Sequence, residues 1–428
     1  MKTKRTICLI LAAFMLILCG CSAFQDIPQP PQVTPYIAPV ETPDTDLIET
    51  PEEASPIPGY NWLVQFCRNS REAMDPENGT EKILDFWWDS VRVESPTARE
   101  AAVKMTETLG TMEDVWYTGS GENAFDSYGY DAMLVEAEDM YGLRKEYGGD
   151  PAELSSTREL TCFRADDEIV VFLVNHYIYL GGAHGDYKTE GICFDAKTGE
   201  RLHLEDLSSD GAAFRTRVLE EMLRLVDEDA DGYYSERLML PEGESREDAF
   251  GALLRDGAWY PAEDGLLLFS DTYELASYAA GIVEFLIPYE RLSDCLDARW
   301  LPTAPTGTAN FSVLPLTDQA EGGVEIVDRL IIGNDDSGES CLLVCEGSAT
   351  DLSIDSVYFV DRFYSGRQMW YCGSFRNAAL QMVILFPGDL PNCMLRYRDA
   401  QGEHELLIGQ SGYDGSILLT ENDFSVQG

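Results

Sequence analysis

The sequence predicts an α+β protein: an antiparallel sheet with packed helices, followed by a small all-β, sandwich-like C-terminal domain. Three observations point there. Between Arg158 and Leu204, runs of β-branched and aromatic residues alternate with tight turns such as Asp166-Asp167 and Lys197-Thr198-Gly199. Apolar residues at helical spacing flank that stretch on both sides. Beyond Pro302 only short strand-like runs recur, separated by turn residues. A chain of 428 residues also exceeds one ordinary core. The expected division is 1–21, a signal; 22–59, a spacer; 60–157, an α+β part that packs on the next segment; 158–301, the central α+β domain; and 302–428, the β-rich end.

In chain order, Lys2, Lys4 and Arg5 precede an apolar run from Ile7 to Leu18, too short for a comfortable membrane span. Leu18-Cys19-Gly20-Cys21 comes next. The pattern resembles a bacterial lipoprotein signal, which implies that Cys21 becomes the lipid-bearing N-terminus and anchors the chain to the outer face of the cell membrane. From Gln25 to Pro58 the chain is acidic and rich in proline, so it is expected to form an extended, unpacked spacer.

Val91 and Val93 alternate with polar residues as in a strand. Thr97 and Glu100 have capping-box spacing ahead of a helix from Ala101 to Leu109. Met133, Leu134, Ala137, Met140 and Tyr141 make one apolar helical face between Tyr130 and Tyr147. Leu160 to Arg164 and Ile169 to Leu180 form a hairpin whose second strand is apolar on both faces, so it should be central in its sheet. Tyr187 to Asp195 and Leu202 to Leu204 add two more strands. Phe214, Val218, Met222 and Val226 line a helix, Ser245 with Asp248 caps another, and Val283 to Pro288 is a strand. After the linker, strands are expected at 311–314, 324–332, 341–345, 356–360, 369–372, 380–386, 393–398 and 405–408, with turns at Asn334-Asp335-Asp336 and Asp414-Gly415.

The passage Tyr177-Ile178-Tyr179-Leu180-Gly181-Gly182-Ala183-His184-Gly185, the Lys197-Thr198-Gly199 hairpin and Leu202-His203-Leu204-Glu205-Asp206-Leu207 together resemble the bacterial extracytoplasmic domain of unknown function family 3298. The resemblance runs from about Arg158 to Asp297 and includes Tyr278-Ala279-Ala280-Gly281. It implies an outer module of the kind found in lysozyme-sensing anti-sigma factors of the RsiV type and beside some peptidoglycan deacetylases. The metal-binding motifs of those deacetylases are missing from this sequence.

Candidate functional residues are few. A glycine-rich turn can present His184 to a ligand, so Tyr177, Gly181, Gly182, His184 and Gly185 are the candidate binding residues. The competing reading gives the glycines to a tight bend and His184 to backbone carbonyls. Asp227, Asp229, Asp231 and Gly232 match the first half of a calcium loop, but Leu238 stands where a bidentate Glu is expected. The Asn78-Gly79-Thr80 sequon has no role in a bacterial lipoprotein. Eight cysteines lie beyond the signal, with no Cys-x-x-Cys; Cys162 and Cys193 are expected on neighbouring strands. No nucleophile elbow, zinc-protease motif, phosphate loop or dinucleotide fingerprint occurs.

The expectation is therefore a surface binding or sensing module, neither an enzyme nor dependent on a cofactor. With 76 acidic against 30 basic residues and a net charge of −46, it repels nucleic acid and attracts cationic partners. A cationic wall-active protein such as lysozyme, or peptidoglycan, is the candidate ligand. The alternatives are a cell-wall hydrolase with Glu190 or Asp195 beside His184, and a scaffold lipoprotein that works through the C-terminal strands.

Overall fold

In the computed structural model, residues 59–428 are described except 124, 149–152, 230, 241–242, 306, 316–324, 333–338, 361–362, 385–387, 412, 415 and 423–428. The signal with Cys21, the spacer up to 58 and the Asn334-Asp335-Asp336 turn lie outside the described residues. Among the described residues no helix is long and apolar enough to cross a membrane.

The described residues build one twelve-stranded, mostly antiparallel sheet and a separate three-stranded one. Strands β1 (Leu63–Met74) and β2 (Lys82–Glu94) form the first hairpin. Its turn is organised by Asp75, whose carboxylate accepts the backbone N–H groups of Glu77, Asn78, Thr80 and Glu81. These bonds, that of Glu81 foremost, hold the Asp75 carboxyl far below the usual range. The sequon lies in this turn, with Gly79 at φ 66°.

Helix α1 runs from Arg99 to Thr118, well beyond the expected Leu109. Its start also differs from the expected capping box. The buried Ser95 hydroxyl accepts the Ala98 N–H at 3.1 Å and contacts the Thr97 hydroxyl at 3.3 Å, so no side chain caps the helix from Thr97. Helix α2 occupies Tyr130–Tyr147, as its periodicity predicts, and buries Met133, Ala137 and Tyr141.

Strands β3 (Leu154–Ala165), β4 (Ile169–Tyr179) and β5 (Asp186–Asp195) come next, β3 running parallel to β2 and the others pairing as hairpins. β4 lies between β3 and β5 and is buried along most of its length, which accounts for its apolar run. Its two faces serve two cores. Val170, Phe172 and Val174 pack with α1 residues Met105 and Leu109. Ile169 and Val171 pack with helix α3 (Gly211–Asp227) through Phe214, Val218 and Met222.

This arrangement separates Cys162 from Cys193. β4 stands between their strands, and the two thiols belong to cores on opposite faces. The expected strand at Leu202 to Leu204 is only a bridge of Arg201 to Phe194 before a 3-10 turn at Leu204–Leu207. Short helices α4 (Tyr233–Arg237) and α5 (Arg246–Ala252) are the next elements. Ser245 caps α5 by accepting the Asp248 N–H at 3.1 Å, as expected. Strands β6 (Trp259–Pro261), β7 (Gly265–Phe269) and β8 (Glu284–Pro288) make the small sheet over the α3 core.

After the linker come β9 (Ala309–Pro315), β10 (Glu325–Ile332), β11 (Glu339–Val360), β12 (Phe363–Ile384), β13 (Gly388–Asp399), β14 (Gly402–Gln410) and β15 (Ile417–Glu421). Four expected short strands are thus two strands of 22 residues each. Register shifts at Cys345/Ser348 and Ala349/Leu352 bend them, so β11 pairs β9 with its first half and β13 with its second. Side chains from both halves, including Leu343 and Ile354, fill one core. These strands continue the sheet begun at Leu63, because β12 pairs directly with β1.

Two carboxylates, the buried Asp89 and the partly buried Glu284, show what the packing costs. Arg68 on β1 holds the buried Asp89 on β2 through bonds of 2.9 and 3.0 Å, reaches Glu159 on β3 at 2.9 Å, and lies 3.9 Å from the Trp87 ring centroid. Asp89 also accepts the Leu160 N–H at 3.2 Å. Replacing Arg68 by Ala leaves Asp89 buried without its counter-charge, and the expected loss, measured by denaturant unfolding, is about 3–5 kcal/mol.

Glu284 on β8 has no such close cation; burial pushes its carboxyl up to about 7, with Arg237 only partly opposing. Its pKa is raised on folding, so stability is greatest below the unfolded value near 4.5 and falls as pH rises toward 7. Unfolding of Glu284→Gln at pH 8 should show a gain of about 2 kcal/mol over the parent, vanishing near pH 4.

Candidate functional site

The glycine-rich turn after β4 is fixed by close packing. Gly181 and Gly182 take φ of 84° and 120°, which a side chain rarely adopts. A Cβ on Gly181 would come within 3.0 Å of Met140 on α2, so the turn sits against that helix. The Tyr179 hydroxyl donates to the Gly182 carbonyl at 3.0 Å. A Cβ on Gly185 would lie 2.6 Å from the Ile178 carbonyl and from the Tyr177 ring. Tyr177, Gly181, Gly182 and Gly185 therefore shape the turn that presents His184.

His184 meets residues from a distant segment, the loop between β7 and β8. Its ring stacks on Tyr278 with centroids 3.8 Å apart and planes at 18°. With its Nδ1–H donated to the Gly185 carbonyl at 3.1 Å, Nε2 accepts the Tyr273 hydroxyl at 3.2 Å. Tyr187 on β5 meets Tyr278 edge-on at 6.0 Å. Tyr273 is exposed and has φ 65°, a conformation that costs a non-glycine residue about 1 kcal/mol or more. It is held there by its neighbours: the Thr272 hydroxyl donates to the Tyr187 carbonyl at 2.6 Å, and Asp271 pairs with Arg255 at 2.9 Å. Burial pushes the Asp271 carboxyl up, and Arg255 opposes it.

Of these residues Tyr187, Asp271, Thr272 and Tyr273 border a cleft of about 290 Å³, which His184 and Tyr278 adjoin through their contacts with Tyr273 and Tyr187 without lining it. Asp186, Tyr187 and Lys188 on β5 form one wall and Asp271, Thr272 and Tyr273 another, while Asn123 and Phe125 from the α1–α2 loop close the third side. Phe125 also covers the buried His176, with ring centroids 6.1 Å apart. The sequence pointed to His184 but not to its tyrosine partners. A turn at Asp271-Thr272-Tyr273 after an apolar strand was the available signal, and only the folded chain brings it to β5.

The other candidates have structural partners. Glu190 pairs with Arg201 at 2.9 Å, and Asp195 accepts the N–H groups of Lys197 and Thr198 at 2.9 Å each and pairs with Arg299. Neither lines the cleft. Asp229 accepts the N–H groups of Tyr234 and Ser235, capping α4, and Asp227 pairs with Arg246 at 3.0 Å. Gly232 makes the expected bend at φ 73°, but Asp227, Asp229 and Asp231 are not gathered into a metal-binding group among the described residues. For the turn, Gly185→Ala should lower stability by roughly 2–4 kcal/mol in thermal unfolding, because backbone and the Tyr177 ring occupy the space of the new methyl.

Residues 205–290 match the sequence profile of a family described as protein of unknown function (DUF3298), an interval inside the stretch that the sequence motifs mark. A DUF3298 family member from Bacteroides fragilis NCTC 9343 is a structural neighbour at 16% identity and a TM-score of 0.40, covering 56% of this chain and 95% of that one. A second, from Pseudomonas aeruginosa PAO1, gives 17% identity and 0.35, covering 56% and 97%. No curated protein matches. The chain thus carries, at residues 205–290, a domain of the DUF3298 family, and the loop that supplies Tyr273 and Tyr278 lies within it.

Proposed function

We propose that this chain is a surface lipoprotein, held on the outer face of a bacterial membrane by lipid at Cys21, that binds a cationic protein or peptide at the cleft beside His184 without turning it over. The observation that carries the reading is the ring cluster of His184, Tyr273, Tyr278 and Tyr187, with Tyr273 held exposed in a left-handed backbone conformation. Strain of that kind persists where surrounding structure enforces it, and here the enforcement comes from the cleft walls.

The chemistry of the cleft favours a cation. Tyrosine faces attract lysine and arginine side chains, and Asp186 and the Arg255-paired Asp271 set two carboxylates against the single Lys188 ammonium on the same walls. A net charge of −46 draws such a partner in from a distance. The resemblance to lysozyme-sensing modules makes lysozyme the first partner to try. Turnover has less support: the ring nitrogens of His184 are engaged by Gly185 and Tyr273, and Glu190 and Asp195 are held by arginines away from the cleft.

Calorimetry of the purified full chain with lysozyme, and in parallel with soluble peptidoglycan fragments, tests this reading. The expected result is lysozyme binding that survives about 0.15 M salt, where exposed charges are screened beyond roughly 8 Å. Combining Tyr273→Ala with Tyr278→Ala should weaken it by about 10- to 100-fold. Loss of binding at that salt, an unaffected double variant, or binding of the fragments alone would each overturn the proposal.

A further inference from the structure

The eight described cysteines carry free thiols, and two of them meet across a joint of the fold. Cys162 lies on β3 and Cys372 on β12, with β1 and β2 between those strands in the sheet. The sheet curls enough to bring them together. Trp62, just before β1, donates its indole N–H to the Asp166 carbonyl at the β3–β4 turn at 2.8 Å, and the Asn61 side chain donates to Asp167 at 2.6 Å. Cys162 and Cys372 are both buried in one core with Val64, Phe66 and Phe172, on strands β3 and β12 that pack against each other. The Cys162 thiol donates to the Arg164 carbonyl at 3.7 Å, and its nearness, together with burial, pushes the Cys372 thiol well above its usual range.

Other pairings fit the fold less well. Cys193 faces the α3 core on the opposite side of β4. Cys341, Cys345 and Cys393 lie in the C-terminal core, on the other face of the sheet from Cys372.

We infer that Cys162 and Cys372 are joined by a disulfide that locks the curled N-terminal strands to the C-terminal ones. Its oxidant is a small disulfide such as oxidised glutathione. The Cys162 thiolate attacks one sulfur and releases one glutathione thiolate, giving a mixed disulfide. The Cys372 thiolate then attacks the Cys162 sulfur and releases the second. Each leaving thiolate takes up a proton that a cysteine has lost, so two electrons and two protons pass to glutathione. In the finished fold both sulfurs are buried, so exchange takes place before the core closes, and the finished bond is shielded from reductant. An oxidising exterior, which the proposed anchoring supplies, favours the bond. The test does not depend on that anchoring.

The full chain is refolded from denaturant with oxidised and reduced glutathione, alkylated under denaturing conditions, digested and mapped by mass spectrometry. The expected product is a linked peptide pair containing Cys162 and Cys372. Because the bond closes a loop of about 200 residues, its reduction should lower Tm by roughly 5–10 °C. Cys372→Ala should lose both the linked peptide and the sensitivity of Tm to reductant. Complete alkylation of Cys162 and Cys372 after oxidative refolding, or linkage of Cys162 to a different cysteine, overturns the inference. Should the variant fail to fold, the peptide map of the parent chain decides alone.

Discussion

The pairing of β1 with β12 is the constraint on which the rest depends. Only three residue pairs make it, Leu63 with Gly373, Val64 with Cys372 and Gln65 with Tyr371, and the Gly59–Arg376 bridge extends it. The approach is close: a Cβ at position 373 would lie 2.3 Å from the Trp62 carbonyl oxygen, so the residue there has to be glycine. Through this short joint the N-terminal hairpin, the β3–β5 strands and the C-terminal strands become one sheet, whose two faces then define where the helices settle. Without it, Trp62 and Val64 lose Cys372 from the core in which they are buried.

A second close approach links the two sheets. Gly191 on β5 donates its N–H to the Gly257 carbonyl at 2.8 Å, and a Cβ at position 191 would sit 2.3 Å from the Trp259 carbonyl oxygen. This contact ties β5 to β6, with the α3 core packed beneath. Farther along the same strand, Thr272 reaches the Tyr187 carbonyl and carries Tyr273 toward His184. The cleft is thus a product of how one sheet edge meets a neighbouring sheet. Its residues come from three segments that are far apart in sequence.

Much of the fold was legible because local signals were strong. The α2 periodicity gave both ends of that helix, the apolar run at Ile169 marked a strand flanked on both sides, and Ser245 marked the start of α5. The misses come from long-range effects. Thr97 and Glu100 had the right spacing for a cap, but the nearby Ser95 hydroxyl took the amide. Polar and glycine residues between 346 and 356 read as a break, yet they sit in β-bulges inside one bent strand. Strand β1 did not read as a strand, since its second half alternates poorly and its partners come from β2 and from β12. For the site, sequence could mark His184 as presented by a glycine turn, but neither the left-handed Tyr273 nor its meeting with His184 is encoded locally.

The short joint at β1 also has a consequence for the order of events as the chain is made. Leu63 and Gly373 are separated by roughly 300 residues, so the first strand emerges long before the strand that pairs with the start of its outer edge. Until β12 arrives, β1 presents one row of unpaired backbone groups and an open apolar face, the kind of surface that recruits stray strands. Folding of this protein is therefore expected to be limited by a late, long-range closure, and a chain cut short before residue 363 would leave the start of its earliest strand permanently unguarded.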